Sequence, residues 1–209
     1  MKVYGGRYLL SPELASLGLR AVGVDVRIHS TCLMVGLENI SIGDHVRVDA
    51  FTSLIAGDGH IDIGNHVHIA GYVFLSGAEG IEIADFVNVS RGVGIYTRND
   101  DYTGEGLAGP TIPAEFLNQA TGPVSLGRHV IIGSGSIVLP GVTIAEGSTV
   151  GALSLVKTDL ASWGIYAGLP VRRLRGRSRA LLALDEQLAL QELQPGSPAQ
   201  LASDQQNDI

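Results

Sequence analysis

The apolar residues of the segment 126–156 recur every six positions. Leu126, Ile132, Val138, Ile144 and Val150 each open a hexad, each is followed by Gly, Leu or Ala, and Val156 opens the next. The fifth place holds Val130, Ser136, Val142, Ser148 and Ser154, all small or β-branched. A helix needs apolar spacing near 3.6 and is weakened by repeated Gly. Short β segments joined by tight turns accept both features, and a fixed short period is the mark of a β-solenoid.

The same phase runs backwards through Val22, Ile28 and Met34, then Ile42, Val48 and Leu54, then Ile63, Ile69 and Leu75, then Ile83, Val89 and Ile95. Val22, Ile42, Ile63 and Ile83 are 20, 21 and 20 residues apart, whereas three hexads occupy 18, so each early coil carries two or three extra residues in its last third. From Ile83 to Leu126 is 43 residues, which places an insertion of about 25 residues within 97–123. The pattern predicts an all-β, three-sided parallel prism of about six coils, with a long loop leaving the fourth. That loop is rich in Gly, Pro and Asn, and long insertions in compact repeats commonly carry function. Ser11-Pro12 reads as an N-cap and first helical residue, predicting a short helix stopped near Gly18. Residues 178–193 read as an amphipathic helix with Leu181, Leu182, Leu184, Leu188 and Leu193 broadly on one side. The organisation is therefore a helical cap over 1–21, a solenoid over 22–160, a C-terminal segment and helix over 161–193, and a polar, disordered tail over 194–209.

Composition narrows the picture. Hydrophobic residues are 45% of the chain, charged residues 17% and aromatics 5%, with 28 Gly, which suits a narrow aliphatic core and many turns. A net charge of −7 argues against nucleic acid as a partner. Cys32 is alone, so it forms no intrachain disulfide and no cysteine cluster for zinc; it occupies a fifth hexad place and reads as a small core filler. No apolar run reaches about 18 residues, so membrane insertion is not expected and a cytoplasmic location is.

Residues 22–175, and most specifically the strings SLGRHVIIGSGSIVLPGVTI, VGALSLVKTD and YAGLPVRRLR, resemble the hexapeptide-repeat acyltransferases, especially galactoside and maltose acetyltransferases. The resemblance implies a left-handed helix, although general sterics favour right-handed crossovers. It implies a homotrimer, acetyl-CoA in a groove between neighbouring prisms, and a sugar hydroxyl or amine that attacks the thioester directly. It also implies that the long loop reaches towards the adjacent subunit. The CoA-contacting positions it carries over are Ser134, Ala152, Lys157, Thr158, Arg172 and Arg175. Guanidinium groups suit the phosphates of CoA. No metal is expected.

The chain departs from that pattern where the chemistry is decided. The galactoside-type enzymes carry a catalytic His in the loop; here the aligned place is Asp100, and His29, His45, His60, His66, His68 and His129 all lie elsewhere. Asp100 or Asp101 can serve as the general base, with mutual repulsion raising one pKa if both share a pocket. His68 on the solenoid wall is a second candidate. An amine acceptor, already nucleophilic when neutral, is a third solution. The AspAspTyr loop also resembles acetyltransferases of surface-polysaccharide clusters. His45, His66 and His129 share the fourth hexad place, in IGDH, IGNH and LGRH, with Phe86 between them. That spacing keeps a γ-carbonic-anhydrase-like metalloenzyme as an alternative, although Phe86 interrupts the ladder. A non-catalytic scaffold is the other alternative, and the intact VKTD and AGLPVRR segments argue against it. The leading reading is an acetyl-CoA-dependent O- or N-acetyltransferase acting on a sugar.

Overall fold

The computed structural model describes residues 5–193, so the expected tail over 194–209 lies outside the described residues. The hexads become a three-faced left-handed parallel β-helix. The first face stacks Ala21–Val22, Ile40–Ile42, Ile61–Ile63, Ile81–Ile83, Val124–Leu126 and Thr143–Ile144. The second stacks Arg27–His29, Arg47–Val48, His68–Ile69, Asn88–Val89, Ile131–Ile132, Thr149–Val150 and Gly164–Gly168. The third stacks Leu33–Val35, Ser53–Ile55, Phe74–Ser76, Gly94–Tyr96, Ile137–Val138 and Leu155–Val156. Gly164–Gly168 begins a further turn, so the solenoid has about seven turns where the repeat predicts six.

Each hexad-opening residue points inward, and the register keeps like above like: Val48 pairs with Ile69, Ile69 with Val89, and Val89 with Ile132. Their side chains are essentially fully buried. Burying one such aliphatic chain contributes about 1.5–3 kcal/mol, so the stacked columns supply most of the driving force. The fifth-place hydroxyls are buried too, and each bridges neighbouring coils. Thr52 donates to the Ala70 carbonyl, Ser136 to Gly151 and Ser148 to Ala161. At the corner between the first and second faces, Asp44, Asn65 and Asp85 each accept a main-chain N–H from the coil before.

Both ends of the prism are closed. The helix Ser11–Ala15 places Leu14 over the core. Ser11 is not its N-cap: Leu10 holds that position, and the Ser11 hydroxyl instead accepts the Val26 N–H at 2.9 Å. A strand that the repeat does not predict, Tyr8–Leu10, runs antiparallel to Arg27–His29. At the other end Val171–Gly176 folds back antiparallel on Gly164–Gly168. The helix Leu181–Glu192 then returns along the corner between the first and second faces, where Asp185 meets Arg128 and His129 and Glu192 meets His66. The extra residues of the early coils all sit at the corner between the third and first faces, as in the 3-10 turn Leu37–Asn39. The long loop leaves from the same corner. No helix among the described residues is long and apolar enough to cross a membrane.

Candidate active site

Four regions hold the residues that the sequence singles out. The first is the corner between the second and third faces. Main-chain bonds run up it from coil to coil: Leu153 N–H to Ser134 O, Gly135 N–H to Arg91 O, Gly92 N–H to Gly71 O, and Tyr72 N–H to Ala50 O. Ala152, Ser134 and Arg91 therefore stand in one column, ~4.8 Å apart per coil. Ser134 and Ala152 are exposed. A Cβ on Gly133 would meet the Ala152 nitrogen at 2.4 Å, so glycine here lets the coils approach closely.

The second region is basic. Lys157 and Thr158 follow the last third-face strand, and Arg172 and Arg175 lie on the returning strand opposite Ala167 and Ile165. All four are exposed.

The third region is the loop. Its stem is a short antiparallel ladder, Arg98–Asn99 with Ala120–Thr121, anchored by Arg98 on Glu79 at 2.6 Å. Asp100 and Asp101 follow the stem directly. They line one shallow, open pocket of the loop but have different partners there. Asp101 accepts the Thr103 hydroxyl at 2.7 Å and the N–H groups of Thr103, Glu105 and Gly106 at 2.8, 2.7 and 2.9 Å. The Thr103 hydroxyl first, and the main-chain donors with it, hold the Asp101 carboxyl well below the usual carboxylate range. Asp100 has one hydrogen-bond partner among the described residues, Gln119, whose side-chain amide donates to Oδ1 at 2.8 Å. Its second oxygen accepts no hydrogen bond among the described residues.

The fourth region is the second face around His68. His68 Nε2 lies 3.0 Å from Asp49 Oδ2, and Nδ1 lies 3.0 Å from Asn88 Oδ1. Asp49 also accepts the Tyr8 hydroxyl at 2.6 Å and Arg47 Nε at 2.7 Å. Burial pushes the Asp49 carboxyl up, but the bonds from Tyr8, His68 and Arg47 outweigh it, and the net shift is downward. Both ring nitrogens of His68 are thus engaged. The second face is opposite the corner that bears the loop, so His68 and Asp100 are not brought together within the chain.

The histidine ladder forms as its spacing predicts. His45, His66, Phe86 and His129 stack with centroids 4.8, 4.7 and 5.1 Å apart. The returning helix covers the ladder rather than leaving it in solvent: His129 is only 6% exposed, and its Nε2 lies 3.1 Å from Asp185.

Ser90, Arg91, Phe51 and Tyr72 line the first corner and are hidden by the repeat. Their signal is an exchange of type at a fixed place. Ser90 stands where Ala70, Gly133 and Gly151 stand in other coils, and Phe51 and Tyr72 stand where Gly92 and Gly135 do.

The three-faced parallel β-helix built from hexads is the fold of the hexapeptide-repeat acyltransferases. The chain is 42% identical over 178 residues to the dTDP-4-amino-4,6-dideoxy-D-glucose acyltransferase of Escherichia coli, covering 85% of this chain and 93% of the relative. The structure of AntD, an N-acyltransferase from Bacillus cereus in complex with dTDP and 3-hydroxybutyryl-CoA, superimposes with a TM-score of 0.85 and 41% identity, over 88% of this chain and 97% of that one. A maltose O-acetyltransferase from Clostridium difficile, at 21% identity and a TM-score of 0.50, shares the fold alone. No protein-family model matches. The chain belongs to the family of these acyl-CoA-dependent sugar acyltransferases.

Proposed function

We propose that this chain transfers an acyl group, acetyl in the first instance, from CoA to the amine of a nucleotide-linked amino sugar, as a cytoplasmic homotrimer. The observation that carries the reading is Asp100 in place of a loop histidine. A hydroxyl needs a strong base as it attacks; an amine needs a group that takes its proton once the C–N bond has formed. AntD has been solved with dTDP-4-amino-4,6-dideoxyglucose, and in variants altered at an aspartate and at a serine ten positions before it. Ser90 and Asp100 are the only Ser–Asp pair with that separation in this sequence. We assign Asp100 as the base and Ser90 as a group that touches the acceptor.

In this reading Ala152 and Ser134 carry the pantetheine arm up the corner column, and Lys157, Thr158, Arg172 and Arg175 hold the phosphate-bearing end. The amine attacks the thioester carbonyl, the C–N bond forms and the C–S bond breaks. Asp100 accepts the proton from nitrogen, and the sulfur leaves as the thiol of CoA once it has taken up that proton. His68 and Asp101, the other two candidates for the base, are assigned to the second-face wall and to the loop scaffold.

The test is release of CoA thiol from acetyl-CoA and from 3-hydroxybutyryl-CoA. Each is presented with dTDP-4-amino-4,6-dideoxyglucose, with free amino sugars, and with maltose and galactosides. Turnover confined to amino acceptors is expected; equal turnover of the hydroxyl sugars overturns the amine assignment.

A further inference from the structure

The covered histidine ladder holds groups that the proposed acyl transfer does not use. His45 and His66 stand in one column at the corner between the first and second faces, each with a left-handed backbone, φ 57° and 55°. Their imidazoles form a stacked pair with centroids 4.8 Å apart. The helix Leu181–Glu192 brings its last residue to this pair: Glu192 Oε1 lies 3.2 Å from His66 Nε2. One donor atom from each of His45, His66 and Glu192 lies within 4.8 Å of the other two.

The far side of His45 is prepared as well. Its Nδ1 lies 3.3 Å from Asp25 Oδ2, and Asp25 is itself held by Arg27 at 2.9 Å. A carboxylate on one ring nitrogen fixes the tautomer. Nδ1 then carries the proton and Nε2 keeps its lone pair, which is how a metal-ligating histidine is oriented and made more basic. The surrounding charge suits a cation. Asp44, Asp85 and Asp185 line the cleft of about 480 Å³ beneath the helix, together with the histidines and Glu192. Arg128, its one cationic lining residue among the described residues, is engaged by Asp185 and by the Phe86 ring. An acidic cleft in a chain of net charge −7 concentrates a divalent cation.

The donor set selects the ion. Two imidazoles and a carboxylate suit zinc and its transition-metal neighbours, whereas magnesium and calcium take oxygen. Bonds of ~2.0–2.2 Å set tetrahedral donors about 3.4 Å apart. The three donors therefore have to close by at most ~1.4 Å, a shift within reach of the partly exposed Glu192 side chain and of ring rotation. His129 stays outside the set, because Phe86 stands between it and His66 and its Nε2 faces Asp185 at 3.1 Å.

We infer that His45, His66 and Glu192 bind one divalent transition-metal ion of the zinc type, and that this ion fastens the helix Leu181–Glu192 to the solenoid. Asp25 positions His45, and water completes the coordination. The helix buries no residue of its own, so apolar contact gives it little hold without such a link. The site lies at a different corner from Ser134 and Ala152 and from the loop of Asp100, and it does not rest on the proposed function.

The experiment titrates zinc chloride by calorimetry into the metal-stripped full chain, free of any affinity tag, and follows amide exchange over 181–192 with and without zinc. The wild type is compared with His66→Asn, Glu192→Gln and Asp25→Asn. Asn tolerates the left-handed backbone at 25 and 66, so the corner keeps its path. Expected are one zinc per chain in the wild type, binding weakened at least ~10-fold in each variant, and slower exchange over 181–192 on adding zinc that Glu192→Gln abolishes. The solenoid amides keep their protection throughout; should His66→Asn lose it, His45→Asn takes its place. Magnesium chloride at the same concentration is expected to have neither effect. A wild type that binds no zinc, zinc affinity that the substitutions leave unmoved, or an equal response to magnesium overturns the site. Zinc binding that leaves exchange over 181–192 unchanged overturns the fastening of the helix.

Discussion

At the scale of single residues, Asp100 and Asp101 are adjacent in sequence and opposite in use. Asp100 spends one hydrogen bond on Gln119, whereas Asp101 spends both oxygens on the turn that follows it. Replacing Asp100 by Asn is expected to lower kcat about 10²–10⁴-fold, the usual worth of a general base, with CoA affinity intact by calorimetry. The residual rate should climb with pH as more of the amine is neutral; a variant at full rate removes Asp100 from the mechanism. Asp101 makes a prediction with a definite sign. Its folded-state pKa lies below the unfolded one, so its stabilisation of the loop is present above the usual aspartate range and is lost as pH falls through the folded value. The wild-type loop should therefore resist proteolysis at pH 5 as it does at pH 7. Asp101→Ala should be cut within 97–123 at both. Equal resistance in the variant means that the turn is held by something else.

At the scale of elements, the returning helix Leu181–Glu192 is attached through polar contacts more than apolar ones. It has no buried residue of its own, and Leu184 and Leu190 remain exposed. Asp185 accepts from Arg128 Nη2 at 2.8 Å and lies 3.1 Å from His129 Nε2. Asp185→Ala leaves the mostly buried His129 without this partner, whereas Arg128, 43% exposed, can turn to water, so the loss is at most about 1.5–3 kcal/mol. That loss falls on helix docking: amide exchange should quicken over 181–192 while the solenoid's amides keep their protection. Uniform loss of protection instead makes the helix part of the solenoid's cooperative unit. The hexad period made the solenoid strands legible because each inward residue repeats one instruction. It could not show Tyr8–Leu10, whose partner is 19 residues away, nor assign Ser11, whose hydroxyl bonds across space to Val26. The helix lies where its leucines place it, but it is not amphipathic as they suggest, since it buries no residue and leaves Leu184, Leu190 and Leu193 exposed; Asp185 and Glu192, which face the histidine ladder, were not visible. The proposed site was legible only in part. Asp100 stood out as a missing histidine, whereas Ser90, Arg91 and Tyr72 occupy outward places at which periodicity places no constraint.

At the scale of the molecule, the pieces of the proposed site are divided among corners of one prism. Ser134 and Ala152 lie between the second and third faces, and the loop with Asp100 leaves between the third and first. The third face between these corners exposes Leu33, Val35 and Phe74 in its upper coils. A second copy packed against it would remove that apolar surface from water, and a closed three-fold ring of such contacts would set one subunit's loop beside the next subunit's column. Two inactive variants test this arrangement. Asp100→Asn lacks the base, and Ala152→Trp blocks the column while leaving the exposed edge able to fold. Each alone should form trimers without useful turnover. When the two are co-expressed, a site built from two subunits is intact wherever an Ala152→Trp chain supplies the loop to an Asp100→Asn chain's column, which is roughly a quarter of sites on random mixing. Recovery near that fraction is the expected outcome. A mixed trimer with no recovery confines the site to one chain, and the loop would then have to cross the third face to reach the column of its own subunit.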